Sequence, residues 1–112
     1  VTPKKASRVN GCEIVALESG VYAAVEDGVV RARTRTRNLK RAVFLLVEEV
    51  YRQNRMKALE RDGFQCVNCG SAMWLQIHHV VHRGMAATNR DDRVDNLRTY
   101  CRSCHEREHG GN

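Results

Sequence analysis

Apolar and polar positions follow two different periods along this chain. From Cys12 to Thr36 they fall into three short β-type runs, CEIVALE, VYAAVE and VVRARTRT, separated by Ser19-Gly20 and by Asp27-Gly28. An Asp-Gly pair between such runs is a hairpin signal, because Gly and Asp accept the positive φ that a tight turn needs. The period then changes. Leu39, Val43, Leu46, Val47 and Val50 recur at helical spacing and predict a helix from Leu39 to Arg61, with Asn38 as its N-cap. Polar Gln53-Asn54 marks an expected break, with Met56 and Leu59 packing a second short piece. Gly63 in the sequence RDG suits a left-handed cap at the helix end.

Beyond that helix the pattern reads as a knuckle CVNCG (66–70), a strand WLQIHHVV (74–81), a long polar loop (82–95) and a strand NLRTYC (96–101). A short helix follows from Ser103. Ser103 and Glu106 have capping-box spacing, and Gly110-Gly111 would stop the helix after little more than one turn. Residues 1–11 are polar and basic and read as a flexible tail. The class is α+β: a β-meander with a helix over 12–61, then a strand–loop–strand–helix core over 62–112, within one compact domain.

The chain has 112 residues, the size of a single domain, and only 5% of them are aromatic. So modest a core often requires a metal, a disulfide or a partner subunit. No apolar run approaches the ~20 residues of a membrane span, and the first residues lack the apolar core of a secretory signal. These features predict a cytoplasmic protein with no membrane partner. The formal charge is +6, concentrated in residues 1–60, which hold 12 Lys/Arg against 7 Asp/Glu. A basic surface suits a polyanion, nucleic acid above all. Arg31, Arg33, Arg35 and Arg37 alternate with small residues. On a strand they would form either a row that tracks phosphates or a solvated face.

Four of the five cysteines form two CxxC pairs, Cys66/Cys69 and Cys101/Cys104, with 31 residues between them. Four thiolates close a tetrahedral shell and leave no position for water, which describes a structural zinc. Cys12 stands apart and reads as a small buried side chain or an idle thiol. The thiols being so used, the histidines are available for other chemistry. His105 and His109 are i and i+4, so a helix puts both rings on one face, as a grip on a divalent ion or as stray surface groups. His78 and His79 are neighbours and would point to opposite faces of a regular strand. At a strand end, one could ligate a metal while the other acts as a general base.

The segments RDGFQCVNCG, LQIHHVV and DNLRTYCRSCHEREH together resemble the HNH endonuclease family, the ββα-metal or His-Me finger group, in its four-cysteine variety. The double histidine, the eight residues between Asn96 and His105, and both CxxC pairs carry the resemblance, over roughly residues 60–109. It implies a β-hairpin packed on a helix with one divalent ion held between them. His78 and His105 would then be ligands of that ion, with His109 as a third. His79 would be the general base, and Asn96 would steady the hairpin and its loop. The implied reaction is hydrolysis of a DNA phosphodiester to 5′-phosphate and 3′-hydroxyl ends, with Mg²⁺, Mn²⁺, Ni²⁺ or Zn²⁺ as the catalytic ion. Arg83 and Arg102 flank the two catalytic stretches and are candidates for holding phosphate. His82 falls outside the motif. Sixteen residues separate His79 from Asn96, without the Gly-Gly turn common in the family. The resemblance fits a bacterial or phage protein, and a homodimer cutting both strands is compatible with it. The rival expectation is a non-catalytic zinc module that binds nucleic acid or protein.

Overall fold

A computed structural model describes residues 4–81 and 91–110, with the side chains of 4–8 and 109–110 left aside. The described residues form two compact units, one up to Arg52 and the other from Gln53 onward. The first is an antiparallel sheet of four strands in sequential order: β1 (Lys4–Val9), β2 (Cys12–Glu18), β3 (Val21–Glu26) and β4 (Val29–Arg35). The turn between β3 and β4 is Asp27-Gly28, both in the left-handed region at φ 51° and 80°. One face of the sheet meets the first part of helix α1 (Leu39–Arg61). Cys12, Ile14 and Ala24 pack there with Leu46 and Val50, flanked by Tyr22, Ala32 and Val43. Cys12 is thus a core side chain, 1% exposed. Asn38 caps α1, its Oδ1 accepting from the Arg41 amide at 3.0 Å.

The expected tail at residues 1–11 is corrected by β1, which pairs along β2 from Lys4↔Ala16 to Val9↔Cys12. The cause is Asn10-Gly11. Both adopt positive φ, 55° and 81°, and turn the chain into a hairpin that the polar composition of this stretch conceals.

The second unit holds the end of α1, the cysteine knuckle, a two-stranded antiparallel sheet and a closing helix. Strand β5 (Leu75–His79) pairs with β6 (Leu97–Cys101), and α2 (Arg102–Gly110) follows β6 without a loop. A 3-10 turn, Val94–Asn96, leads into β6. Two expectations are corrected here. First, α1 does not break at Gln53-Asn54. Asn54 is 4% exposed and its Nδ2 donates to the Asp92 carbonyl at 3.0 Å, so this polar residue tethers the helix where it was expected to interrupt it. Second, α2 starts at Arg102 and runs nine residues, so Ser103 lies inside it and does not cap it. Glu106 accepts instead from Arg102 Nε, one turn earlier, at 3.3 Å. Gly63, at φ 70°, ends α1 in the left-handed region as its sequence context predicts. Among the described residues no helix is long and apolar enough to cross a membrane.

Candidate active site and metal centre

Two short segments bring the four cysteines together. The knuckle folds back through Cys66 N–H to Ser71 O at 2.8 Å and Gly70 N–H to Cys66 O at 2.9 Å, and Val67 N–H joins it to Thr99 O at 2.9 Å. Cys101 ends β6 and Cys104 lies in the first turn of α2, so the second pair crosses a strand-to-helix junction. All four sulfurs lie within 4.8 Å of one another, and Cys69 and Cys101 are 3.6 Å apart. A disulfide needs about 2.05 Å, whereas sulfurs around a tetrahedral zinc at about 2.3 Å sit about 3.8 Å from each other. The spacing is that of a metal shell. Cys66, Cys101 and Cys104 are buried, with Leu75 and Tyr100 packed on them.

The electrostatics of the cluster call for a cation. Burial pushes the Cys66 thiol up, but amide N–H groups of Cys101, Cys69 and Asn68 outweigh it and bring the thiol to about 6. Ser71 N–H favours the Cys69 thiolate, yet the neighbouring cysteine sulfurs push Cys69 to about 11. Crowded thiolates repel one another, and a cation among the four sulfurs would relieve that repulsion. Asn68 Nδ2 at 3.3 Å and the Arg107 guanidinium at 3.2 Å both donate to Cys104 Sγ, which lowers its pKa and offsets charge from outside the shell.

A second cluster lies across the β5–α2 contact. The His78 and His105 ring centres are 5.4 Å apart at an interplanar angle of 79°, and Tyr100 meets His78 at 5.1 Å. Two imidazoles that share one ion at about 2.1 Å, at octahedral to tetrahedral angles, place their ring centres roughly 4.6–5.3 Å apart. The observed pair is close to that range, and neutral nitrogen ligands suit a divalent ion. His109 is in α2 with its side chain outside the described residues, as are His82 and Arg83 altogether.

His79 is the last residue of β5 and has a different partner. Its ladder position is opposite Leu97, whereas His78 is opposite Arg98. The His79 ring is 7% exposed, and its Nε2 is 2.7 Å from Oδ1 of Asp92, which is 0% exposed. Asp92 was not among the sequence candidates. It stands in the run RDDRVD beside Asp91, and only the fold distinguishes the two: Asp91 pairs with Arg93, Asp92 with His79.

Asn96 holds the two ends of the loop that leads to Asp92. Its Oδ1 accepts from Val81 N–H at 2.9 Å, and its Nδ2 donates to Val81 O at 3.2 Å and to Asp91 O at 2.7 Å. Arg61, the last residue of α1, and Asp62 after it hold β6 and the turn that leads into it. Arg61 donates to Val94 O and Leu97 O, and Asp62 accepts from Thr99 N–H at 3.0 Å.

The arginine row is shorter than its sequence suggests. The ladder between β3 and β4 shifts register between Ala24 and Val25, which leaves Arg31 as the extra residue of a bulge. Arg31 is half-buried and ion-paired with Glu26. Arg33 and Arg35 remain exposed on one strand face opposite Ala23 and Val21, and Arg37 lies past the end of β4. Arg102 is exposed on α2.

Residues 66–111 match the family model described as HNH endonuclease. With the four cysteines placed to hold a metal, this segment fits the four-cysteine variety of that family. No curated protein and no solved structure matches the chain.

Proposed function

We propose that this chain, which carries an HNH endonuclease domain of the four-cysteine variety, hydrolyses DNA phosphodiesters with the aid of a divalent ion. The observation that carries the reading is the convergence of His78 from β5 and His105 from α2, at 5.4 Å, in the unit whose sulfur cluster joins the knuckle to the β6–α2 junction. Cys66, Cys69, Cys101 and Cys104 would hold a structural zinc. His78 and His105, with His109 as third ligand, would hold the catalytic ion, Mg²⁺, Mn²⁺, Ni²⁺ or Zn²⁺. When bound, that ion supplies positive charge against the nonbridging and leaving oxygens of the phosphodiester.

His79 removes a proton from a water molecule. The water oxygen forms a bond to phosphorus as the bond to the 3′-oxygen breaks, and the departing oxygen takes a proton from solvent, which leaves 5′-phosphate and 3′-hydroxyl ends. Asn96 keeps the hairpin and its loop in register while this happens. Arg33, Arg35, Arg37 and Arg102, with Arg31 at the bulge and Arg83 beyond the described residues, are the candidate phosphate contacts. The net charge of +6 favours the approach of DNA.

A second reading, a non-catalytic zinc module for nucleic acid or protein, draws on the burial of both histidines, 8% exposed for His78 and 7% for His79. Incubation of the zinc-loaded protein with plasmid DNA and each of the four ions separates the two. His79→Ala should lower the cleavage rate on the order of 10²–10⁴-fold and leave DNA binding intact. Wild type and variant equally inert with every ion would favour the second reading.

A further inference from the structure

We infer that Asp92 is a positioning residue that fixes the tautomer and the aim of His79, so that Nδ1 is the atom that receives the proton. The inference rests on the nuclease reading and adds a residue to it. A carboxylate is seldom fully buried unless it has a partner, and Asp92 is 0% exposed with His79 Nε2 at 2.7 Å. With the Asp92 carboxylate as the acceptor, Nε2 carries the hydrogen and the ring lone pair resides on Nδ1.

In this role the Asp92 carboxylate lies directly against the ring that takes the proton, at 2.7 Å from Nε2. The arrangement stabilises the charged ring without any rearrangement at the moment of reaction. Stability alone is a weak reason to bury such a pair, because desolvation of the carboxylate offsets most of the attraction.

Asp92 is itself held from two directions. Asn54 of α1, 38 residues away in sequence, donates to its carbonyl at 3.0 Å. Asn96 Nδ2 donates to the preceding carbonyl, that of Asp91, at 2.7 Å. The carboxylate therefore sits on a fixed stretch of main chain, although it belongs to a polar run that reads as loop. His79 in turn is fixed at its backbone by the β5–β6 ladder, opposite Leu97. Main chain and ring are thus both constrained, and the orientation of the His79 ring is set by the fold.

The substitution that isolates this role is Asp92→Asn. It keeps size and hydrogen bonding but allows an amide N–H to donate to Nε2, which moves the ring hydrogen to Nδ1 and removes the base. In the full zinc-loaded chain, kcat for plasmid cleavage should fall on the order of 10²–10⁴-fold, as for other histidine bases that lose an orienting carboxylate. KM and zinc content should be unchanged. Nitrogen-15 shifts of His79, at a pH where its ring is neutral, should report the Nε2–H tautomer in wild type and its loss in the variant. A variant that cleaves like wild type overturns the inference, and so does a wild-type ring that carries its hydrogen on Nδ1. Should the variant fail to fold, the wild-type spectrum decides alone. A wild type inert toward DNA brings down the nuclease reading and the positioning role together. Active wild type with an undiminished variant brings down the role alone.

Discussion

Asn96→Ala tests the bracing of the loop ends at a single side chain. The amide makes three hydrogen bonds, to Val81 N–H, Val81 O and Asp91 O, at 2.9, 3.2 and 2.7 Å, and the residue is 7% exposed. Each such bond contributes about 0.5–1.5 kcal/mol net, so the side chain accounts for about 1.5–4.5 kcal/mol of local stability, with a central value of about 3. That central value corresponds to an opening equilibrium shifted by about two orders of magnitude. Amide hydrogen exchange on the zinc-loaded protein reads it directly, because the Val81 N–H is bonded to the side chain that is removed. Val80 N–H supplies the internal control. It donates to the main-chain carbonyl of Asn96 at 2.9 Å, a bond that alanine retains. Val81 should exchange about a hundredfold faster in the variant, with a much smaller change at Val80. Equal exchange at Val81 in the two proteins, with an unchanged urea midpoint, would refute the bracing role.

Removal of the metal by a chelator, or Cys104→Ser, should unfold the unit from Gln53 onward, since thiolate ligation and folding are coupled there. Circular dichroism and exchange at the β5–β6 amides check this, and an unaltered hairpin after complete zinc loss would contradict it. Asp62→Asn should lower stability by about 1–3 kcal/mol near neutral pH, as the carboxylate bonds Arg61 and the Thr99 amide. The Arg61 guanidinium beside Asp62, helped by Thr99 and opposed by burial, holds the carboxyl below its ordinary 3.8. Its contribution is therefore present above that pH and fades as pH falls through the lowered value, a slope that denaturation at graded acidity should find missing in the variant. Arg33→Ala and Arg35→Ala should each reduce the salt dependence of duplex DNA binding by a slope of about 0.9 if these exposed groups contact phosphate. Titrations at several salt concentrations that leave the slope unchanged would remove them from the interface.

The sequence alone determined what depends on backbone period and on fixed local spacing. The Asp27-Gly28 turn, the apolar stripe from Val43 to Val50 and the paired CxxC motifs are all of this kind, because each requires only neighbours within a turn or a knuckle. Asn10-Gly11 was equally local, and the polar composition around it concealed a readable hairpin. Arg31 shows where period fails: one bulge opposite Ala24 and Val25 takes it out of the arginine row, and nothing in RARTRTR announces the bulge. Asp92 and Asn54 lie further from what pattern can reveal. Their bonds span 13 and 38 residues, and both residues occupy stretches whose composition reads as loop or helix break. Only folding decides which of two adjacent aspartates meets His79, because a hydrogen bond needs an atom within about 3 Å and sequence supplies no distances. The chain's residue types thus set out which chemistry was available, and the packing of α1 and the loop ends against the hairpin decided which groups could take part in it.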